Sequence, residues 1–487
     1  MLRHHSARRA LAILAGLALA AALAPAAFAA PAAKTAKGGG DAIDIPFETV
    51  KLANGLTVLL SPNRTIPQVC VDVWYHVGSK NELKGRTGFA HLFEHVMFTG
   101  SGHVPYGTHD RLTEGVGGDN NGSTNNDRTN YYENVPSNHL EAVLWMEADR
   151  MGFLLDKLDQ DKFVAQRDIV KNERRQRTDN QPYGRAFEII SSAMLPETHP
   201  YSWPVVGYMA DLEQATVEDV KQFFRTWYSP GNATISIVGD FDPAQVKVWL
   251  TKYFADLPAG APVTRPAVPL VRMSEDKRLV FEDRVQVPRL YLVWPTVGET
   301  HEDTEALSVL GEILAGSRVA RLTKALVYDR QSAANVNAFA NADEGFGAFY
   351  TMLTPRPGHS LTEIEATADS IVAKLRAEGP TAEEMTRALA GTEFSFVSEL
   401  EENYGRAEML NSGAVFHGDP GYYKTFYRRL KAVTAADVKR VAEKYLGAPR
   451  VTLSIVPQGK ADQAAGADRC TKVTVAPDGG HYLLEAL

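Results

Sequence analysis

The chain passes twice through the same change of hydrophobic pattern. From Val217 to Val238, VEDVKQFFRTWYSPGNATISIV moves from apolar residues at helical spacing to a period-two alternation, and AADVKRVAEKYLGAPRVTLSIV, Ala435 to Val456, does so at the same place. Asp219 falls on Asp437, Thr234 on Thr452, Ser236 on Ser454 and Ile237 on Ile455, a constant offset of 218 (437 − 219) without a gap. One duplicated α+β unit is the economical explanation. The starts of the units also match. KLANGLTVLLSPN before VCVDVWYHVGS, and RLVFEDRVQV before RLYLVWPTVG, each read as a strand pair leading into a helix. Between the copies, residues 257–269 carry Pro258, Pro262, Pro266 and Pro269 with Gly260, a linker composition. The pattern therefore predicts a first domain over 43–257 and a second over 271–457. Residues 458–487 form a polar tail, with a further strand expected through Lys472 to Val475.

The amino terminus follows another pattern. Arg3, Arg8 and Arg9 precede a fifteen-residue apolar run, Ala10 to Ala24, and then the small-residue triplet Ala27-Phe28-Ala29. This is the layout of a secretory signal peptide over residues 1–29, and the run is shorter than the ~20 residues a membrane-spanning helix needs. The mature chain is expected to be exported, most simply to a bacterial periplasm, with no membrane span. Arg8-Arg9 leaves the general secretory and twin-arginine routes both open.

With 487 residues, 44% hydrophobic and 23% charged, the composition is that of a folded protein of two to four domains and excludes wholesale disorder. The net charge is -8, and removing the three leader arginines makes it more acidic still, so nothing points to nucleic acid. Cys70 and Cys470 are the only cysteines, which excludes a disulfide framework.

Candidate chemistry is concentrated in TGFAHLFEHVMFTG, Thr87 to Gly100. No helix breaker falls between Phe89 and Thr99, and at ~3.6 residues per turn His91 and His95 stack on one face with Glu94 beside them. Two imidazoles so spaced can bind one Zn2+, and the adjacent carboxylate can reach its water; the arrangement is the H-x-x-E-H pattern of zinc peptidases. A catalytic zinc needs a third protein ligand. The helical stretch DKFVAQRDIVKNERRQRTDN supplies Glu173 as its candidate.

HLFEH followed by the Glu of RDIVKNERRQRTDNQPYG resembles the pitrilysin family of metallopeptidases, which includes insulin-degrading enzyme and the mitochondrial processing peptidase. GVGGDNNGSTNNDRTNYYENVP, Gly115 to Pro136, is similar to the family's Gly-Gly, Asn-Ala, Thr, Thr and Tyr pattern, and the likeness runs over most of Ile43 to Pro457. The resemblance implies two duplicated α/β-sandwich domains, the second without a metal site, and one zinc per chain held by His91, His95 and Glu173. It implies zinc-dependent endopeptidase activity on unstructured peptides, with Glu94 as the base that deprotonates the attacking water. Asn121, Gly122, Ser123 and Thr124 would then hold an extended peptide along a strand edge, against the alternative that Asn121 is an ordinary turn residue.

Two positions depart from the family pattern. Gln166 stands where a second Glu is frequent, seven residues before Glu173 and hence on the same helix face, where its amide would lie near the metal. Gly122 replaces an Ala, a change expected mainly to add backbone freedom. Within RLTKALVYDRQSAANV, active members carry an Arg and, seven residues on, a Tyr; the corresponding positions here are Val327 and Ala334, with Tyr328 as a neighbouring alternative. Neither aliphatic side chain donates a hydrogen bond. Because full-length family members have four such domains, the resemblance implies a partner: a homologous subunit supplying Arg and Tyr in a heterodimer, with a homodimer as the lesser alternative. A non-catalytic peptide-holding scaffold and a zinc hydrolase of other substrates are the rival readings.

The remaining candidates read as structural. His76 belongs to a strand pattern, and His103, His109 and His139 are expected at the surface. Cys70 is expected as a buried thiol, with a Cys70 to Cys470 bridge the lesser possibility. Arg174, Arg175 and Arg177 are expected to be solvated or paired with carboxylates.

Overall fold

The computed structural model describes residues 43–476 and 482–486. The expected leader, 1–29, lies outside the described residues. Among the described residues, thirteen strands form two sheets. The first contains β1 (Glu48–Lys51), β2 (Thr57–Pro62), β3 (Gln68–Tyr75), β4 (Asp119–Thr124), β5 (Thr129–Pro136) and β6 (Ala233–Gly239), in the order β1-β2-β6-β3-β5-β4. The second contains β7 (Lys277–Asp283), β8 (Arg289–Thr296), β9 (Ala333–Ala342), β10 (Gly347–Pro355), β11 (Val451–Pro457), β12 (Thr471–Val475) and β13 (Tyr482–Ala486), in the order β13-β12-β7-β11-β8-β10-β9.

The helices of the first half are α1 (Phe89–Val96), α2 (Thr108–Glu114), α3 (Leu140–Phe153), α4 (Gln160–Arg174), α5 (Ala186–Met194), α6 (Met209–Gln214), α7 (Val217–Trp227) and α8 (Pro243–Phe254). Those of the second are α9 (Thr304–Ala315), α10 (Leu361–Glu378), α11 (Ala382–Glu399), α12 (Asn403–His417), α13 (Tyr422–Ala432) and α14 (Ala435–Leu446).

The duplicated segment occupies the same place in both halves. α7 and α14 each start on a capping box, Thr216 with Asp219 and Thr434 with Asp437, which satisfies helix N-terminal N–H groups reciprocally. The strand that follows, β6 or β11, inserts parallel to one neighbour (β2 or β7) and antiparallel to the other (β3 or β8). The resulting sheets are mixed, and the architecture is α+β.

Strand β3 shows why the sheet is buried on both sides. Val69, Val71, Val73 and Tyr75 pack with Leu92, Phe93, Leu144 and Phe224 in the core under the first half's own helices. The alternate residue Cys70 meets Phe396, Ala407 and Leu410, which belong to α11 and α12 of the second half. The exchange is reciprocal, since Ala186, Ile189 and Ile190 of α5 pack on Leu279, Tyr291, Val293 and Leu453 of the second sheet. Each sheet is thus covered on one face by its own helices and on the other by the opposite half.

Three expectations need correction or completion. The region read as a tail joins the second sheet: Thr471–Val475 pairs with β7, and Ala464, Ala465 and Cys470 lie in the second core. Polar composition misled there because the alanines that fill the core, Ala464 and Ala465, lie between two short helical turns, 461–463 and 467–469, that contain no buried residue themselves. Cys70 and Cys470 are unpaired buried thiols in different cores. His109 is 4% exposed and not a surface residue. Among the described residues, no helix is long and apolar enough to cross a membrane.

Candidate metal centre

Helix α1 is anchored by its apolar face. Phe89, Leu92, Phe93 and Val96 are buried, with the Phe93 ring centroid 4.3 Å from that of Tyr228 and 5.2 Å from that of Phe224. Its N-terminal residue Gly88 has φ 86 and no side chain to cap the helix. Glu82 does this instead, accepting from Gly88 N (2.9 Å) and Ala90 N (2.8 Å). A carboxylate at that end also meets the positive pole of the helix dipole. Nothing in the sequence marks Glu82, which lies before the helix and reaches it through the loop.

With the apolar face fixed inward, His91 and His95 turn towards α4. Helix α4 is capped by Asp159, which accepts from Lys162 N at 2.9 Å, and buries Phe163 and Val170. Its last turn brings Glu173 to α1: Oε2 stands 3.1 Å from His95 Nε2 and 3.6 Å from His91 Nε2. The imidazole planes are perpendicular, their centroids 4.9 Å apart. Two ligands held ~2.0–2.1 Å from one tetrahedral centre sit roughly 3.3 Å apart, so the observed spacings fit a single zinc. His91 Nδ1 is buried without a partner among the described residues. Burial, and next the neighbouring His95, pull the His91 imidazole down to about 4, which keeps it a neutral ligand at ordinary pH. The hydrogen bond with His95 leads the causes that hold the Glu173 carboxyl below the usual range, burial opposing it. Arg177, one turn on, pairs with the other oxygen of Glu173.

Glu94, beside them on α1, reaches the edge strand β4. Thr124 Oγ1 donates to Glu94 Oε2 at 2.6 Å. Burial raises the Glu94 carboxyl, with the Thr124 hydrogen bond opposing. Alternation along β4 puts Gly122 on this same side: a Cβ there would lie 3.2 Å from Glu94 Cγ. Among the described residues the other edge of β4 is unpaired, because its sheet neighbour is β5 alone. Asn121 is exposed, its Oδ1 accepting from Gly122 N, while Ser123 is tied into the sheet by Asn130 (2.7 Å) and Arg128 (2.6 Å). Gln166 is 9% exposed, two turns before Glu173 on α4. Val327 and Tyr328 lie on the helical segment Thr323–Asp329, and Ala334 near the start of β9.

A second ligating group, His109, Glu133 and Glu147, lies fully buried. Arg150 already bonds both of its carboxylates, so the cluster is a buried ion-pair network. Burial lowers the His109 imidazole to about 4.

The model of the insulinase peptidases, family M16, matches residues 57–202, the stretch that holds His91, Glu94, His95 and Glu173. A companion model described as the M16 inactive domain matches 214–392. The chain belongs to peptidase family M16. The inactive-domain match begins after the site and falls mostly on the second half. Among M16 relatives, the chain is 29% identical to the zinc protease PqqE of Helicobacter pylori over 407 residues, covering 82% of this chain and 90% of that one. It is 23% identical over 416 residues to a probable mitochondrial-processing peptidase subunit beta of Arabidopsis thaliana, covering 83% and 77%. A crystal structure of a Helicobacter pylori protease superposes with a TM-score of 0.78 at 27% identity, covering 85% of this chain and 99% of that one. The periplasmic protease PqqL of Escherichia coli shares the fold, with a TM-score of 0.72 at 18% identity, over 86% of this chain but 49% of PqqL.

Proposed function

We propose that this chain is a zinc-dependent endopeptidase of unstructured peptides, with one zinc held by His91, His95 and Glu173. The observation that carries the reading is the convergence of three ligand atoms within 4.8 Å of one another beside a carboxylate held by a strand edge. Zinc supplies Lewis-acid polarisation of the scissile carbonyl and a water of lowered pKa. Glu94 accepts a proton from the attacking water and passes it to the leaving amine, a role worth roughly 10²- to 10⁴-fold. Thr124 orients that carboxylate. The free edge of β4, residues Asn121 to Thr124, pairs with the substrate's main chain, which gives affinity for extended segments with loose side-chain preference and spares folded domains. Gln166, buried on the same helix as Glu173, is in this reading a neutral amide near the ligand set that adds no charge to it.

The chain works, in this reading, as the catalytic subunit of an exported, periplasmic heterodimer. Val327 and Ala334 offer no side-chain donor where active members carry Arg and Tyr, so a self-pair would close over the metal without them. PqqL, twice this chain's matched length, supports a chamber built from two such chains. A homologue without the zinc motif is the expected partner.

Glu173→Ala decides the ligand set. Metal content should fall well below one zinc per chain while the protein stays folded; full zinc occupancy and full activity would remove Glu173. Peptide hydrolysis measured with and without the co-expressed homologue decides the pairing, and strong activity of the lone chain, unchanged by any partner, would sink it.

A further inference from the structure

The hairpin that carries Thr124 turns at residues 125–128, and the corresponding hairpin of the second half, β9–β10, turns at 343–346. The two turns interlock. Asn126 Nδ2 donates to Asp343 Oδ2 at 2.8 Å, and the backbone N of Glu344 donates to Asp127 Oδ2 at 2.8 Å. Lys80 inserts between them, its Nζ 2.8 Å from Asp127 Oδ1 and 2.5 Å from Glu344 Oε2. His76 Nε2 lies 2.6 Å from the same Glu344 oxygen, and Tyr201 OH 2.5 Å from Asp127 Oδ1. The Lys80 and Asp127 side chains are each 3% exposed.

The backbone of the turn is fixed as tightly. Ser79 N and Lys80 N donate to the carbonyls of Asn125 and Asn126, at 3.1 and 3.0 Å. Gly78 packs so closely on this turn that a Cβ would come within 2.4 Å of Asn125 O.

Buried charges are a weak source of stability compared with apolar packing of the same volume, and their best-attested service is to fix one geometry. The geometry fixed here begins one residue beyond Thr124, whose hydroxyl holds Glu94. We infer that Lys80 and Glu344 are positioning residues for the catalytic base, acting through the β4–β5 hairpin, so that a turn of the metal-free half sets the orientation of Glu94. The inference rests on the proposed peptidase reading for its kinetic consequences. Displacement of a reacting group by an ångström costs up to about 100-fold, so a loosened hairpin should act on kcat.

The test is Glu344→Gln and Lys80→Met, each alone and combined with Thr124→Val, with Lys80→Arg as the conservative rescue. In the zinc-loaded protein with its partner, either single change should lower kcat about 10-fold, with KM and zinc content within roughly twofold of the parent, and Lys80→Arg should recover most of the loss. In the Thr124→Val background the same changes should alter kcat less than about twofold, because the link they act through is gone. Equal losses in both backgrounds, or no loss in either, would overturn the inference. Hydrogen exchange supplies a reading without turnover: residues 119–124 should exchange faster in Glu344→Gln while α1 and α4 keep the parent's protection. Unchanged exchange in β4 overturns the positioning role whether or not the chain cleaves peptides. A parent that cleaves no peptide, but whose β4 answers to Glu344→Gln, fails the peptidase reading alone. If Lys80→Met does not fold, Asn126→Ala removes a neutral side chain from the interlock, with the bond it donates to Asp343 and the one it accepts from Ser79 Oγ, and should show the same pattern at smaller size.

Discussion

Helices α1 and α9 occupy corresponding places in the two halves, and they differ in what they turn towards the neighbouring edge strand. α1 offers His91, Glu94 and His95 to β4 and α4. α9 carries Ser308, Gly311 and Glu312 at the corresponding positions: a Cβ on Gly311 would lie 3.0 Å from Ala338 O on β9, while Glu312 lies towards α11, where a Cβ on Gly391 would be 3.2 Å from its Oε2. The buried faces are alike, Leu92, Phe93 and Val96 in one and Val309, Leu310 and Ile313 in the other. The two helices thus share a buried face, and α1 alone carries the ligand set. In the second half a lone carboxylate remains, raised by burial, and among the described residues no group of three ligating side chains accompanies it. Its close backbone approaches, made through glycine, replace the space a metal and a substrate strand would need.

The largest expected effect sets the two helices directly against each other. Glu94→Gln should lower peptide turnover by about 10²- to 10⁴-fold with zinc and fold retained, since Gln is near-isosteric but takes no proton. Glu312→Gln should leave turnover within roughly twofold, because nothing it touches reaches the first half's site. Retained hydrolysis in the first variant would remove Glu94 from the mechanism; a large loss in the second would show that the halves are not divided as described. Both are read from steady-state kinetics with zinc content measured in parallel.

How much of this contrast was legible in the sequence depends on the range of the contact. The ligand helix was readable because its residues are local: three and four positions fix a helix face, and Gly88 and Gly100 bracket it. The duplication was readable because the α7–β6 and α14–β11 segments repeat without a gap. What stayed hidden is carried by long-range pairs. Glu82 caps α1 through a loop, His109 is buried by Glu133 and Glu147 from other elements, and α5 and α12 cross to the opposite sheet. The polar stretch after Pro457 was misread because three small residues, Ala464, Ala465 and Cys470, fill the second core with no strong hydrophobic signal.

The shared packing predicts that the helices fail alike under truncation. Phe93 is fully buried among aromatic rings, and Phe93→Ala should destabilise the protein by ~3–5 kcal/mol. Leu310, equally buried on α9, should cost ~2–5 kcal/mol when cut to Ala. Denaturant unfolding of both variants checks this. A loss confined to Phe93→Ala would mean that α9 is not held by its core as α1 is.

A smaller effect separates by pH two neighbouring carboxyls of one interlocked turn. Burial, and then the charge of Asp127, raise the Asp343 carboxyl to about 7, while its bonded partner is the neutral amide of Asn126. The folded protein keeps this proton over a range in which the unfolded chain has lost it, so its contribution to stability falls as pH rises from about 4 to 7. Glu344 behaves oppositely: burial raises it, but His76 and Lys80 outweigh that and hold it at about 2, so its contribution is present above about 4.5 and lost as pH falls towards 2. Asp343→Asn should flatten the fall in Tm between pH 4 and 7 and leave the acid limb, set in part by Glu344, in place. Superimposable parent and variant profiles would contradict the assignment.

The finest contrast lies between two glycines, each set between a helix and its edge strand, Gly122 on β4 and Gly311 on α9. A Cβ on Gly122 would sit 3.2 Å from Glu94 Cγ, from Phe98 Cε2 and from Asn130 O, tighter than ordinary contact but short of a clash, and its φ is not in the left-handed region. Asn130 O is backbone of the neighbouring strand, but the Glu94 and Phe98 side chains can yield by a few tenths of an ångström, and the one that yields towards the site is the base. Gly122→Ala should therefore change kcat by only about two- to fivefold, with little change in stability. Gly311→Ala meets backbone alone, Ala338 O at 3.0 Å and Phe339 Cα at 3.2 Å, which cannot turn aside like a side chain. That variant should lose stability, by about 1–3 kcal/mol, and keep the parent's kcat in the folded fraction. Measuring Tm and kcat for the two alanines side by side checks the division: if Gly311→Ala altered kcat and Gly122→Ala altered only Tm, the roles assigned to the two helices would have to be exchanged.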